Sequence, residues 1–137
     1  MTYSSALFKN KQITLLEAQI QKYDSIIENL NIHSSSDICE IGCGWGGFID
    51  RSKQRKNGVS VDGYTISKKQ YGYTKLNHNN VFFEDYRKIN KKYSNVVSIE
   101  MFEAVGKKYW NIYFEKLNNL LKKNGTACLQ IITINES

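Results

Sequence analysis

Between Thr14 and Leu30 apolar side chains return at intervals of three and four residues, the spacing of an amphipathic helix lying on a sheet. His33-Ser34-Ser35-Ser36 then forms a polar turn, with His33 read as a solvated loop residue. Beyond it the pattern changes to short unbroken apolar runs. Strands are predicted from Asp37, over Gly58 to Tyr64, Val81 to Glu84, Asn95 to Ile99 and Thr126 to Ile134. Three helices fall between them. The first opens near Trp45, the second runs from Ser67 to Leu76, and the third covers Lys108 to Lys122 before Asn124-Gly125 ends it. In the last helix Trp110, Ile112, Tyr113, Leu117, Leu120 and Leu121 are expected to cover the sheet, with Phe82, Tyr113 and Phe114 in the core. Strands alternating with helices predict an α/β fold, a doubly wound and mostly parallel sheet that binds ligands outside the carboxyl ends of its strands.

The run Asp37-Ile38-Cys39-Glu40-Ile41-Gly42-Cys43-Gly44-Trp45-Gly46-Gly47-Phe48 carries a strand straight into a glycine-packed turn and the start of a helix. Such a turn lets main chain approach a ligand closely, and the helix behind it presents free N–H groups. Gly42-x-Gly44-x-x-Gly47 also satisfies the dinucleotide-binding pattern. Glu40 separates the two ligands. A carboxylate just before the turn repels a pyrophosphate but suits a cationic amino-acid group, such as the ammonium end of S-adenosylmethionine. Asp62 lies about 20 residues past Gly42, where the dehydrogenase pattern places an acid, but it precedes the strand end and reads as a strand residue.

The chain of 137 residues holds a single domain, and its 41% hydrophobic and 23% charged residues are ordinary for a globular protein. No run approaches a membrane span and the N-terminus lacks a secretory pattern, so a cytoplasmic location is expected. Cys39, Cys43 and Cys128 form no metal-like spacing with His33 or His78, and no metal is expected. Cys39 and Cys128 read as buried strand thiols, and Cys43 either lines the ligand pocket or packs. The net charge of +6 is spread over many lysines rather than gathered in one stretch; it suits an anionic membrane surface and supports no nucleic-acid partner.

Six segments occur together and in order: Thr2-Tyr3-Ser4-Ser5-Ala6-Leu7-Phe8, Leu16-Glu17-Ala18-Gln19, Glu40 to Gly47, Gly63-Tyr64-Thr65-Ile66-Ser67-Lys68-Lys69-Gln70, Asp85-Tyr86-Arg87 and Met101-Phe102-Glu103-Ala104-Val105-Gly106. As a set they resemble the cyclopropane-fatty-acyl-phospholipid synthase (mycolic acid cyclopropane synthase-like) family of S-adenosylmethionine-dependent methyltransferases. The resemblance covers nearly the whole chain. It implies a Rossmann-like class I methyltransferase fold over residues 1–137, with 1–36 as a cofactor-covering segment and helix and 37–137 as the sheet.

It also implies roles. Gly42, Gly44 and Gly46 would underlie the methionine part of S-adenosylmethionine beside Glu40 and Cys43, with Tyr3 and Ser4 folding over it. Thr65, Ser67 and Gln70 would contact the cofactor after the second strand, and Asp85 and Tyr86 would border the adenine. Glu103 is the catalytic candidate: in the family a matching glutamate helps hold a bicarbonate that removes a proton after methyl transfer to an alkene. Ser5 stands where members often carry a cysteine at the same centre. Ala104 replaces a histidine, and Leu129 to Ile134 replaces a strand that in many members holds a histidine before its final threonine. Several bicarbonate contacts are thus altered. The implied substrate is the unsaturated acyl chain of a membrane phospholipid, met peripherally at the inner membrane surface. Because family members extend further at both ends, the chain is expected to be a truncated copy of the core, ending after strand five.

Overall fold

The computed structural model describes residues 1–134, so the last three positions of the expected domain lie outside the described residues. Its first helix, α1 (Leu15–Asn29), is opened by a capping box: the Glu17 N–H donates to Thr14 Oγ1, and the Thr14 N–H donates back to Glu17 Oε2 at 2.7 Å. Then follow β1 (Asp37–Ile41), α2 (Gly47–Arg55), β2 (Ser60–Thr65), α3 (Lys68–Lys75), β3 (Val81–Phe83), β4 (Tyr93–Ile99), α4 (Trp110–Leu120) and β5 (Leu121–Gln130). Short 3-10 turns at Tyr86–Lys88, Phe102–Ala104 and Lys107–Tyr109 fill the connections after β3 and β4.

The five strands are all parallel, in the order β3-β2-β1-β4-β5. Period-two alternation divides their side chains between two cores. Ile38, Val61, Val81 and Val97 face α1 and α2, packing on Ile26, Ile27, Phe48 and Ile49. Cys39, Ile41, Tyr64, Tyr93 and Val96 face α4, packing on Tyr113, Leu117 and Leu120. The doubly wound sheet is therefore as expected. Asp37 ties its amino edge together, accepting from the Ser94 N–H at 2.9 Å and Lys122 Nζ at 2.7 Å. Burial pushes the Asp37 carboxyl up, but these bonds outweigh it and hold the group at about 2.

Three sequence expectations need correction. Strand five begins and ends earlier than Thr126 to Ile134. Its partner β4 is exhausted at the Ile99–Gln130 pair, so Ile131 onward has no ladder to join and leaves the sheet. At the other end a register shift opposite Tyr93 and Asn95 absorbs Lys122 to Gly125 into the strand, and α4 stops at Leu120. The second helix starts at Gly47 rather than Trp45, because Gly46 is left-handed at φ +85°. Finally, Trp110, Ile112, Phe114 and Phe82 are roughly half exposed. The buried stripe of α4 is Tyr113, Leu117 and Leu120, one narrow face, and Phe82 sits on an edge strand with one neighbour.

Candidate active site

Strand order reverses between β1 and β4, and in such sheets the crevice beyond the carboxyl ends at this point is where ligands bind. The glycine turn leaves β1 here. Gly42, Gly44 and Gly46 all have positive φ (+77°, +54° and +85°), a conformation that bars Cβ-bearing residues from most of the turn. The Gly42 and Cys43 N–H groups both donate to the Tyr64 carbonyl, at 2.9 and 3.0 Å, which pins the turn to β2. The Cys43 thiol packs against Gly63, so its side chain serves the core as well as lining the cleft.

Glu40 lies beneath this turn on the α1 side of the sheet, only 3% exposed. Its Oε2 is buried without a hydrogen-bond partner among the described residues. Burial pushes its carboxyl well above the usual range, and Asp50 adds to this while Lys22 opposes it. Lys22 itself is 4% exposed. Its ammonium donates to Ser4 Oγ at 2.6 Å, and burial depresses it to about 8 against the pull of Glu100 and Glu40. Between pH 8 and 9 the unfolded chain holds a proton on Lys22 that the folded chain has released, which raises stability with pH. From about pH 9 the buried Cys39 and Cys43 thiols, pushed far up by burial, and above pH 10 Tyr23 and Tyr64, raised to about 12, keep protons that the unfolded chain loses, so stability falls. Urea midpoints across pH 7 to 11 are expected to peak between pH 8 and 9, and Lys22→Met should remove the rising limb.

The N-terminal segment lies across the turn. Thr2 Oγ1 and Tyr23 OH are 3.0 Å apart, the Ser4 carbonyl accepts from Gln19 Nε2 at 2.7 Å, and Tyr3 OH accepts from Gln70 Nε2 at 3.2 Å. Gln70 Oε1 in turn accepts from Thr65 Oγ1 at 3.1 Å, and Ser67 Oγ caps α3 by accepting the Gln70 N–H. Tyr3 of the N-terminal segment and Thr65, Ser67 and Gln70 of the segment after β2 thus form one connected network. With the segment in place the cleft under Tyr3 and Ser4 encloses about 30 Å³, room for one water.

Asp85 and Tyr86 follow β3 at the same end of the sheet but bond differently. Asp85 accepts from Arg87 Nη2 at 2.5 Å, a contact that keeps its carboxyl below the usual range. The Tyr86 ring meets Tyr113 edge-on at 5.4 Å. Asp85 also borders a groove of about 510 Å³ on the outer edge of β3, walled by Tyr71, Phe82 and Phe83. Glu103 is exposed in the 3-10 turn after β4, and its Oε1 accepts the Ile132 N–H as the chain leaves β5. The ring of Phe102 beside it sits 5.2 Å from Trp110 and 5.3 Å from Phe114. Ser5 contributes main chain to the site: its N–H donates to Glu100 Oε1 at 2.8 Å.

Four functional candidates escaped sequence reasoning: Gln19, Lys22, Glu100 and Gln130. A signal existed for the first two, since both interrupt the apolar stripe of α1 with Ala18, Tyr23, Ile26 and Ile27 around them. Polar side chains on a buried face need a partner. Nothing in the local pattern marks Glu100 or Gln130, which meet across 30 positions of chain.

Residues 1–137 match the family model of mycolic acid cyclopropane synthetase. The chain belongs to the mycolic acid cyclopropane synthetase family. Its relatives include cyclopropane mycolic acid synthase 3 of Mycobacterium tuberculosis, 32% identical over 96% of this chain and 48% of that protein. Tuberculostearic acid methyltransferase UfaA1 of the same organism is 32% identical over 98% of this chain and 34% of its own length. Among solved structures, mycolic acid cyclopropane synthase CmaA1 complexed with SAH and CTAB superposes with a TM-score of 0.87 at 30% identity, covering 93% of this chain and 47% of that one. Coclaurine N-methyltransferase shares the fold, with a TM-score of 0.84 at 24% identity over 92% of this chain and 39% of that one. The chain spans about half the length of the curated cyclopropane synthases it matches.

Proposed function

We propose that this chain binds S-adenosylmethionine between the glycine turn and the N-terminal segment and directs its methyl group to the double bond of an unsaturated phospholipid acyl chain. The observation that carries the cofactor is Glu40, a buried carboxylate with an orphaned oxygen directly under a turn that has no Cβ atoms at Gly42, Gly44 and Gly46. A buried oxygen of that kind is costly unless something donates to it, and the ammonium of an amino-acid ligand does so with opposite charge. The bound cofactor supplies an electrophilic methyl group on a positively charged sulfur. Tyr3 and Ser4 close over it and exclude water, while Thr65, Ser67 and Gln70 offer hydroxyl and amide groups to its ribose. Tyr86 presents an aromatic face to the adenine. Glu103 places negative charge where a cation develops on the acyl chain, next to the apolar Phe102, Trp110 and Phe114 surface that suits a hydrocarbon.

The lipid itself is approached from the cytoplasmic face of a membrane, where the net charge of +6 favours contact with an anionic leaflet. The test pairs two measurements on the whole chain. Calorimetry with S-adenosylhomocysteine is expected to give micromolar binding, and methyl-labelled S-adenosylmethionine is expected to label vesicles of monounsaturated phosphatidylglycerol but not their saturated counterparts. Heat without label would reduce the function to cofactor binding, and label in saturated lipid would rule out the double bond as the target.

A further inference from the structure

Glu100 stands one residue beyond β4 with φ +48°, a left-handed conformation that residues other than glycine rarely adopt. Held in that position, its carboxylate turns back across the site. Oε1 accepts both the Ser5 N–H at 2.8 Å and Gln130 Nε2 at 2.9 Å, while the Glu100 N–H donates to the Gln130 carbonyl at 2.9 Å. The buried Lys22 ammonium adds an attraction. The N-terminal segment, the end of β4 and the end of β5 therefore converge on one carboxylate oxygen. Uncommon backbone held in place by its surroundings is frequent where a group must be pre-positioned.

The resemblance described above implies a bicarbonate bound at this centre, near positions 5 and 103. The residues present do not fit it. Both N–H donors, Ser5 and Gln130, are already engaged by Glu100, Ala104 has no polar side-chain atom, and the Glu103 Oε1 is satisfied by Ile132. A second anion would also sit against the Glu100 carboxylate, where like charges oppose each other. We propose that the Glu100 side chain takes the place of that anion, so that this chain carries its own proton acceptor. The proposal rests on the lipid-methylating function given above.

The chemistry balances without a further reagent. The alkene π pair forms a C–C bond to the donor methyl, and the C–S pair leaves with sulfur as a neutral thioether. The cation left on the acyl chain loses a proton from the transferred carbon to the Glu100 carboxylate, and the released C–H pair closes the third side of the ring. Glu100, now a neutral acid, returns its proton to solvent.

The deciding experiment follows 13C-labelled bicarbonate by NMR against the native chain and Glu100→Gly, a substitution that frees both donors and suits the left-handed backbone. Native protein is expected to leave the label free, while Glu100→Gly binds it at least about tenfold more tightly. Equal binding by the two forms, or binding by neither, overturns the proposal. In turnover, Glu100→Gln is expected to lower the rate by about 10²-fold or more with the cofactor KM unchanged, and added bicarbonate should restore rate to Glu100→Gly. An unchanged rate in Glu100→Gln overturns the proton-accepting role. Failure of both forms to bind S-adenosylhomocysteine would instead sink the cofactor assignment, leaving the bicarbonate comparison to be judged by itself.

Discussion

Glu40→Gln is expected to weaken S-adenosylhomocysteine binding by about 10- to 100-fold while leaving the ligand-free fold at least as stable as the native one. The affinity loss is that of one hydrogen bond between opposite charges, roughly 1.5–3 kcal/mol, with about 1.4 kcal/mol for each factor of ten. The stability result comes from the other side of the same desolvation: a buried carboxylate with an unpaired oxygen penalises the free protein, and a neutral amide is penalised less. The pH dependence supplies a second check. Burial raises the Glu40 carboxyl, so in the ligand-free protein it keeps its proton to higher pH than an exposed glutamate. A cationic ligand selects the ionised form and binding expels that proton. Native affinity should therefore climb with pH until Glu40 is ionised without help, and the glutamine variant should show no such climb. Calorimetry in buffers of different ionisation heat measures the proton release, and urea titration measures the stability. Equal affinities for native and variant would remove Glu40 from the cofactor site.

Gly46→Ala is expected to destabilise the fold by about 2–6 kcal/mol, through two independent penalties. Its φ of +85° strains any L-residue, by about 1–3 kcal/mol. A Cβ there would also stand 2.9 Å from Thr74 Cγ2 and 3.2 Å from His78 Nε2. Neither neighbour can retreat cheaply. Thr74 is fully buried and its hydroxyl donates to the Gly44 carbonyl at 3.0 Å, while His78 is wedged between Asp50 and Lys53 of α2. Overpacking of this kind adds about 1–3 kcal/mol. Against a typical stability of about 5–15 kcal/mol, the thermal midpoint should fall by roughly 10 °C. Gly44→Ala separates the penalties, because its Cβ would meet only the Tyr3 ring at 3.6 Å, an ordinary contact. Thermal melts should rank native above Gly44→Ala above Gly46→Ala; equal midpoints for the two variants would leave the turn without the close packing against α3.

The glycine turn was legible because its requirements are local. Left-handed φ at alternate positions and a strand entering a helix can be met only by particular residue types in sequence. The helix start at Ser67 was legible for the same reason, whereas the capping box of Thr14 and Glu17 emerged only from the structure. Strand five was misplaced because a strand's length is set by its neighbour. Ile131 to Ile134 read as strand, yet the β4 ladder ends at the Ile99–Gln130 pair. The expected burial of Trp110, Ile112 and Phe114 failed similarly, since a helix surface is covered only as far as the sheet beneath it reaches.

By itself the sequence determined the α/β architecture, the helix-opening turn, the carboxylate beneath it and membership in a family whose motifs run the length of the chain. Tertiary structure alone decided which distant groups meet. It brought Lys22 beside Ser4, Tyr3 onto Gln70, and the Glu100 carboxylate between Ser5 and Gln130. Those contacts join segments up to 125 positions apart, counting the Ser5 carbonyl and Gln130. Local periodicity carries the direction of a side chain relative to its own element, whereas the partner it reaches depends on how the elements pack, and that is a property of the whole core.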